Sequence, residues 1–64
     1  MIVVMAPGTA KIDLDNIKER IESRGLRAQI NTGAERTVIG VMGSIPADFK
    51  DEMELMNGVG EVVM

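Results

Sequence analysis

Leu26-Arg27-Ala28-Gln29-Ile30-Asn31-Thr32-Gly33-Ala34-Glu35-Arg36-Thr37-Val38-Ile39-Gly40-Val41-Met42 is the stretch that decides the fold. Leu26, Ala28 and Ile30 alternate with Arg27, Gln29 and Asn31, the period of two shown by a strand with one buried face. Arg36 to Met42 is a second run rich in β-branched residues, and Gly43 ends it. Thr32-Gly33-Ala34 supplies the turn between them, so the stretch reads as a β-hairpin. Upstream, Met1 to Ala6 is a short apolar run stopped by Pro7-Gly8, as a buried strand would be. Leu14, Ile17 and Ile21 then recur at helical spacing, with Asp15, Lys18, Glu19 and Glu22 mostly on other faces. This predicts a helix from about residue 11 to 24, with Thr9 or Asp13 as its cap and Gly25 as a left-handed stop. Downstream, Pro46 suits a first helical turn, and Phe49, Met53 and Met56 repeat at helical spacing. The second helix is expected over about 46–56, stopped by Asn57-Gly58, and Val59 to Met64 closes with a strand.

The predicted order is βαββαβ, an α+β sandwich. Right-handed crossovers put the first and third strands in the middle, giving an antiparallel sheet in order 4-1-3-2. Both helices then cover one face and leave the other bare. A bare face normally alternates apolar-in and polar-out. The middle strands do not: Ile2 and Val4 oppose Val3 and Met5, and Val38 and Met42 oppose Ile39 and Val41. Both sides are apolar, and an apolar patch on a small domain marks a contact surface. Val3, Met5, Ile39 and Val41 are the expected interface set, although the pattern leaves open which side the helices cover. Gln29 and Asn31 share the polar side of their strand and so point to the open face. An amide there can both donate and accept hydrogen bonds, as an amino acid's ammonium and carboxylate require. Plain outward polarity explains the same pattern.

Composition excludes several classes of function. The chain of 64 residues is one domain at most, and such a domain is marginally stable alone. It has no Cys and no His, which removes disulfides, thiolate zinc sites and the usual nucleophile–base pairs. Ser23 and Ser44 are left without an activator. Asp13-Leu14-Asp15-Asn16 lacks the glycine and distal Glu of a calcium loop, so no metal site is expected. The remaining carboxylates read as solvated helix faces. Net charge is −3, the seven basic residues form no run, and one Phe is the only aromatic, which disfavours nucleic acid. No apolar run approaches the ~20 residues of a membrane span, and Met1 to Met5 lacks the basic flank of a signal peptide. A cytoplasmic location is expected. Pro7-Gly8-Thr9-Ala10-Lys11 lacks the second glycine and the Lys-Ser/Thr ending of a phosphate loop. Gly8 is instead expected to shape a tight strand-to-helix turn close to a ligand. Arg36 beside Thr37 is either an anion contact or an edge charge, and Gly33 and Gly40 read as a turn residue and a close-packing position.

Met1-Ile2-Val3-Val4-Met5, Pro7-Gly8 and above all Gly33-Ala34-Glu35-Arg36-Thr37-Val38-Ile39-Gly40-Val41-Met42-Gly43 resemble one family. It is the N-terminal ferredoxin-like domain of type Iβ 3-deoxy-7-phosphoheptulonate (DAHP) synthases. Gly58-Val59 and Val62-Val63 match the end of that domain, so the resemblance spans the chain. It implies a catalytic (β/α)8 barrel C-terminal to the domain and absent here. That barrel uses a divalent metal to condense phosphoenolpyruvate with erythrose 4-phosphate, the first step of the shikimate pathway to aromatic amino acids. The chain itself is then a non-catalytic regulatory domain with no cofactor of its own, partnered by its barrel and by other copies. The resemblance further implies that tyrosine or phenylalanine binds between paired domains, which then obstruct the barrel mouth; Gln29, Asn31 and Gly8 are the expected effector-binding residues. Well-studied relatives carry His and Ser where this chain has Gln29 and Asn31, and Lys where it has Ala6. Two other readings stand beside this one: a ligand-free oligomerisation or docking module, and a free-standing small-molecule sensor resembling an ACT domain.

Overall fold

The structure, a computed structural model, describes residues 1–64. Strands β1 (Ile2–Met5), β2 (Arg27–Thr32), β3 (Thr37–Met42) and β4 (Val59–Val63) alternate with helices α1 (Lys11–Ser23) and α2 (Phe49–Glu54) in the order βαββαβ. The strands form one antiparallel sheet, β2-β3-β1-β4, the order expected from the crossovers. No helix is long and apolar enough to cross a membrane.

The two helices lie on one face because their apolar stripes share one core with one side of the sheet. Ile17 and Ile21 of α1 and Phe49 and Met53 of α2 are fully buried against Val3, Met5, Ile39, Val41 and Val62. Burying each such side chain contributes about 1.5–3 kcal/mol, so this single layer carries most of the domain's hydrophobic stabilisation. It also settles the sidedness that the sequence left open. Val3, Met5, Ile39 and Val41 face the helices and are not a contact surface. They pack in the core because β1 and β3 pair Val3 with Ile39, which fixes the odd-numbered residues of both strands on the helix side.

The helix ends depart from the sequence reading. Neither Thr9 nor Asp13 caps α1; Ala10 occupies the cap position, and no side chain bonds to the free amides. The Thr9 hydroxyl instead sits between the Ala6 and Gly58 carbonyls, 3.1 Å from the latter, and ties the first turn to the start of β4. Helix α2 begins at Phe49 rather than near residue 46. Pro46 has no N–H and holds the preceding residue extended, so the chain first makes a turn in which the Phe49 N–H donates to the Pro46 carbonyl at 3.1 Å. Gly25 and Gly58 both have positive φ, as the stops after the two helices require.

Candidate functional site

The hairpin register builds the bare face. Gln29 pairs with Gly40 and Asn31 with Val38, while Gly40 and Val38 pair across β1 with Ile2 and Val4. Paired residues point the same way, so Arg27, Gln29, Asn31, Val38, Gly40, Met42, Ile2 and Val4 share one surface, joined by Glu61 and Val63 of β4. No helix covers it. Ile2, Met42 and Val63 are 47%, 44% and 48% exposed, high for large apolar side chains on one face. Both middle strands thus carry apolar residues on their two sides, but the uncovered ones are the even-numbered set.

Gln29 and Asn31 are exposed and make no side-chain hydrogen bond within the chain. Their amides stand at one edge of the apolar floor formed by Val38 and Val4. Gly40 presents no side chain beside Gln29; a Cβ there would lie 3.8 Å from the Gln29 carbonyl oxygen, an ordinary contact. The face therefore offers polar donors and acceptors next to apolar surface, without a charged residue between them.

Gly8 does not join this pair. It lines a separate hollow of about 140 Å³ at the end of the sheet, shared with Thr9 and the hairpin tip Gly33 to Arg36. Arg36 also borders a neighbouring depression with Ala6, Pro7 and Glu61, and makes no ion pair. Neither hollow includes Gln29 or Asn31. On the helical side, the Glu52 carboxylate receives hydrogen bonds from Arg20 and Arg24. The Arg20 hydrogen bond does most to hold the Glu52 carboxyl below its ordinary range, against a smaller opposing effect of desolvation. No three His, Cys, Asp or Glu side chains come together to hold a metal ion.

The sequence reading put Gln29 and Asn31 on the open face, where they lie, and took the wrong side of β1 and β3 for the apolar surface beside them. Val4, Val38 and Gly40 were legible through the turn: with Gly33 bonded to Arg36 across the hairpin, Asn31 must fall opposite Val38 and Gln29 opposite Gly40.

Comparison with known proteins agrees with this architecture. The phospho-2-dehydro-3-deoxyheptonate aldolase of Thermotoga maritima is 38% identical over 63 residues, covering 98% of this chain and 19% of that protein. A crystal structure of the Thermotoga maritima phospho-2-dehydro-3-deoxyheptonate aldolase (DAHP synthase) matches with a TM-score of 0.86 at 35% identity, over 94% of this chain and 18% of that one. The chain thus spans about a fifth of the length of these relatives. Residues 1–64 match the family described as the DAHP synthase ferredoxin-like domain, and the chain belongs to that family.

Proposed function

We propose that this chain is the regulatory domain of a DAHP synthase, and that tyrosine or phenylalanine binds between two copies of it to gate a catalytic barrel. The observation that carries the reading is the pair of unpartnered amides, Gln29 and Asn31, beside the uncovered apolar floor of Val38 and Val4. An aromatic ring takes the floor, and the amides take the ammonium and carboxylate or the phenol. The domain does no covalent chemistry itself. Its donor set, with neither His nor Cys, does not fit the divalent metal that the condensation uses, which falls to the barrel. Gating requires that the effector bind the paired arrangement more tightly than the separated one, since equal affinity shifts nothing.

A ligand-free docking module is the second reading. It is favoured by the flatness of the face, where Gln29 and Asn31 line no hollow. A free-standing ACT-like sensor would instead lack any barrel-coding sequence downstream of residue 64. The deciding experiment titrates the full-length enzyme with tyrosine and phenylalanine, following both activity and domain pairing. Inhibition with increased pairing, lost when residues 1–64 are deleted, supports the effector reading. If neither amino acid changes either observable, the docking reading replaces it.

A further inference from the structure

The chain divides its charge unequally. The sheet and its hairpin hold Arg27, Arg36, Glu35 and Glu61, which cancel. The net charge of −3 therefore sits in the helical layer, where five of the seven basic residues stand among eight of the ten acidic ones. All of those five except Lys18 are already in ion pairs, with Asp15, Asp48, Glu52 and Glu54. Asp13, Glu19, Glu22 and Asp51 are left without one. Apart from the terminal Met64, the two most exposed large apolar side chains lie in the same layer, Leu55 at 85% and Ile12 at 63%.

The unequal lengths of the helices leave a groove between them. Helix α1 has 13 residues, about 20 Å, and α2 has six, about 9 Å. Arg20 and Arg24 clasp Glu52 at one end of the seam. Leu55 and Met56 follow Glu52 by three and four residues, so they continue the flank that faces α1. Met56 shares an open depression of about 310 Å³ with Asn16, Glu19, Arg20 and Ser23 of α1. Ile12 stands one turn before Asn16 on the same flank. The groove thus carries apolar groups at Ile12, Leu55 and Met56, with the unpaired Glu19 on its α1 wall.

We propose that this groove docks an amphipathic helix of a partner protein, one that carries Lys or Arg on either side of an apolar stripe. The stripe covers Ile12, Leu55 and Met56, as apolar anchors on successive turns do in a helix-in-groove contact. The flanking cations meet Glu19 on α1 and Asp51, which lies one turn before Leu55 on α2. Charge selects this occupant. A layer that holds the whole net charge of −3 repels nucleic acid and anionic lipid surfaces, and a second copy would set like charge against like. The groove lies on the helical side, opposite the bare sheet face, so the proposal is independent of the effector reading.

The test uses two synthetic peptides of about 15 residues, long enough to form a helix. Both carry Leu at helical spacing; one has Lys at the remaining positions and the other has Glu. Each is titrated, up to millimolar concentration in low salt, into the isotope-labelled chain while amide resonances are followed. The Leu/Lys peptide is expected to bind, with shifts centred on Ile12, Asn16, Glu19, Leu55 and Met56, and the Leu/Glu peptide to leave the spectrum unchanged. Leu55 and Glu19 are exposed, so substitution there spares the fold. With far-UV circular dichroism unchanged, Leu55→Ser is expected to weaken binding roughly tenfold and Glu19→Lys roughly fivefold. Absence of binding by the Leu/Lys peptide overturns the proposal, as does equal binding of the two peptides. Shifts centred on Val4 and Val38 of the bare face, or undiminished binding by either variant, overturn it equally.

Discussion

Arg20 on α1 and Glu52 on α2 meet at 2.9 Å, an ion pair that links the two helices across their outer surface. Arg24 joins it, with Nη1 3.0 Å from the same carboxylate and its guanidinium 5.5 Å from the centre of the Phe49 ring. The cluster closes over a core residue that is itself fully buried. The packing beneath it, of Ile17, Ile21, Phe49 and Met53, supplies the stability. The pair is solvent-accessible, and exposed ion pairs contribute little.

Stability should nevertheless carry a signature of this pair. The folded-state pKa of Glu52 is depressed, chiefly by its hydrogen bond from Arg20. A depressed carboxyl contributes stability above its unfolded value and loses it as pH falls through the folded one. Glu52→Gln is therefore expected to lower the melting temperature slightly at neutral pH. The difference from wild type should shrink as the solution is acidified below the ordinary carboxylate range. Melting curves of both chains across pH 2 to 7, in low salt, check this. A difference that grows on acidification contradicts the assignment.

The sidedness of the central strands makes a sharper contrast. Val3 is fully buried beneath the helices, whereas Val38 lies on the bare face. Val3→Asp places an unpaired charge in the core, at a cost of several kcal/mol, comparable to the whole stability of a small domain. It should abolish the cooperative unfolding transition. Val38→Asp should leave the circular dichroism spectrum and the urea midpoint nearly unchanged while reducing any association through the bare face. Equal behaviour of the two variants would mean that the helices cover neither side selectively.

Two glycines with positive φ separate strain from crowding. Gly8 has φ of +73°, and a Cβ added there would meet nothing within 4 Å, so Gly8→Ala should cost about 1–2 kcal/mol from backbone strain alone. Gly58 has φ of +89°, and a Cβ there would lie 2.9 Å from the Thr9 methyl and 3.1 Å from the Asp13 Cβ. Gly58→Ala adds this crowding to the strain and disturbs the Thr9 tether, so it should be the more destabilising by about 1–3 kcal/mol. Urea unfolding of the two variants gives the comparison directly.

Particular residues show how much of this was legible in the sequence. Leu26, Ala28 and Ile30 gave β2 through strict alternation, and Leu14, Ile17 and Ile21 gave α1 through helical spacing, because each element is amphipathic. Val3, Met5, Ile39 and Val41 went to the wrong side because β1 and β3 are apolar on both faces, and a two-sided strand carries no internal sign of which face is covered. Only pairing with a one-sided neighbour breaks that symmetry: Asn31 opposite Val38 marks the bare face. The start of α2 was obscured by Pro46, which is as compatible with the turn before a helix as with its first residue. Gly8 was grouped with the amides although the turn it forms lies at the end of the sheet, beside the hairpin tip.

The proposed effector face can be probed by removing its polar group and by covering its apolar floor, separately. Gln29 is exposed in the single chain, so Gln29→Ala should leave stability within about 0.5 kcal/mol of wild type. In a paired arrangement it would be desolvated, and a hydrogen bond lost from a buried site costs about 1–3 kcal/mol. Effector affinity should then fall roughly ten- to a hundredfold. Gly40 does not have positive φ, and its Cβ position is free of close contacts, so Gly40→Val also suits the strand. The added side chain stands beside Gln29 on the apolar floor. An aromatic ring that uses this floor loses its place, whereas polar capture at the edge alone is untouched. Calorimetric titration of tyrosine and phenylalanine into the full-length enzyme distinguishes the contributions. Weakening by both variants supports a ring on the floor and amides at its polar end. Weakening by Gln29→Ala alone moves the ring off the floor, and normal affinity in both variants removes the effector from this face.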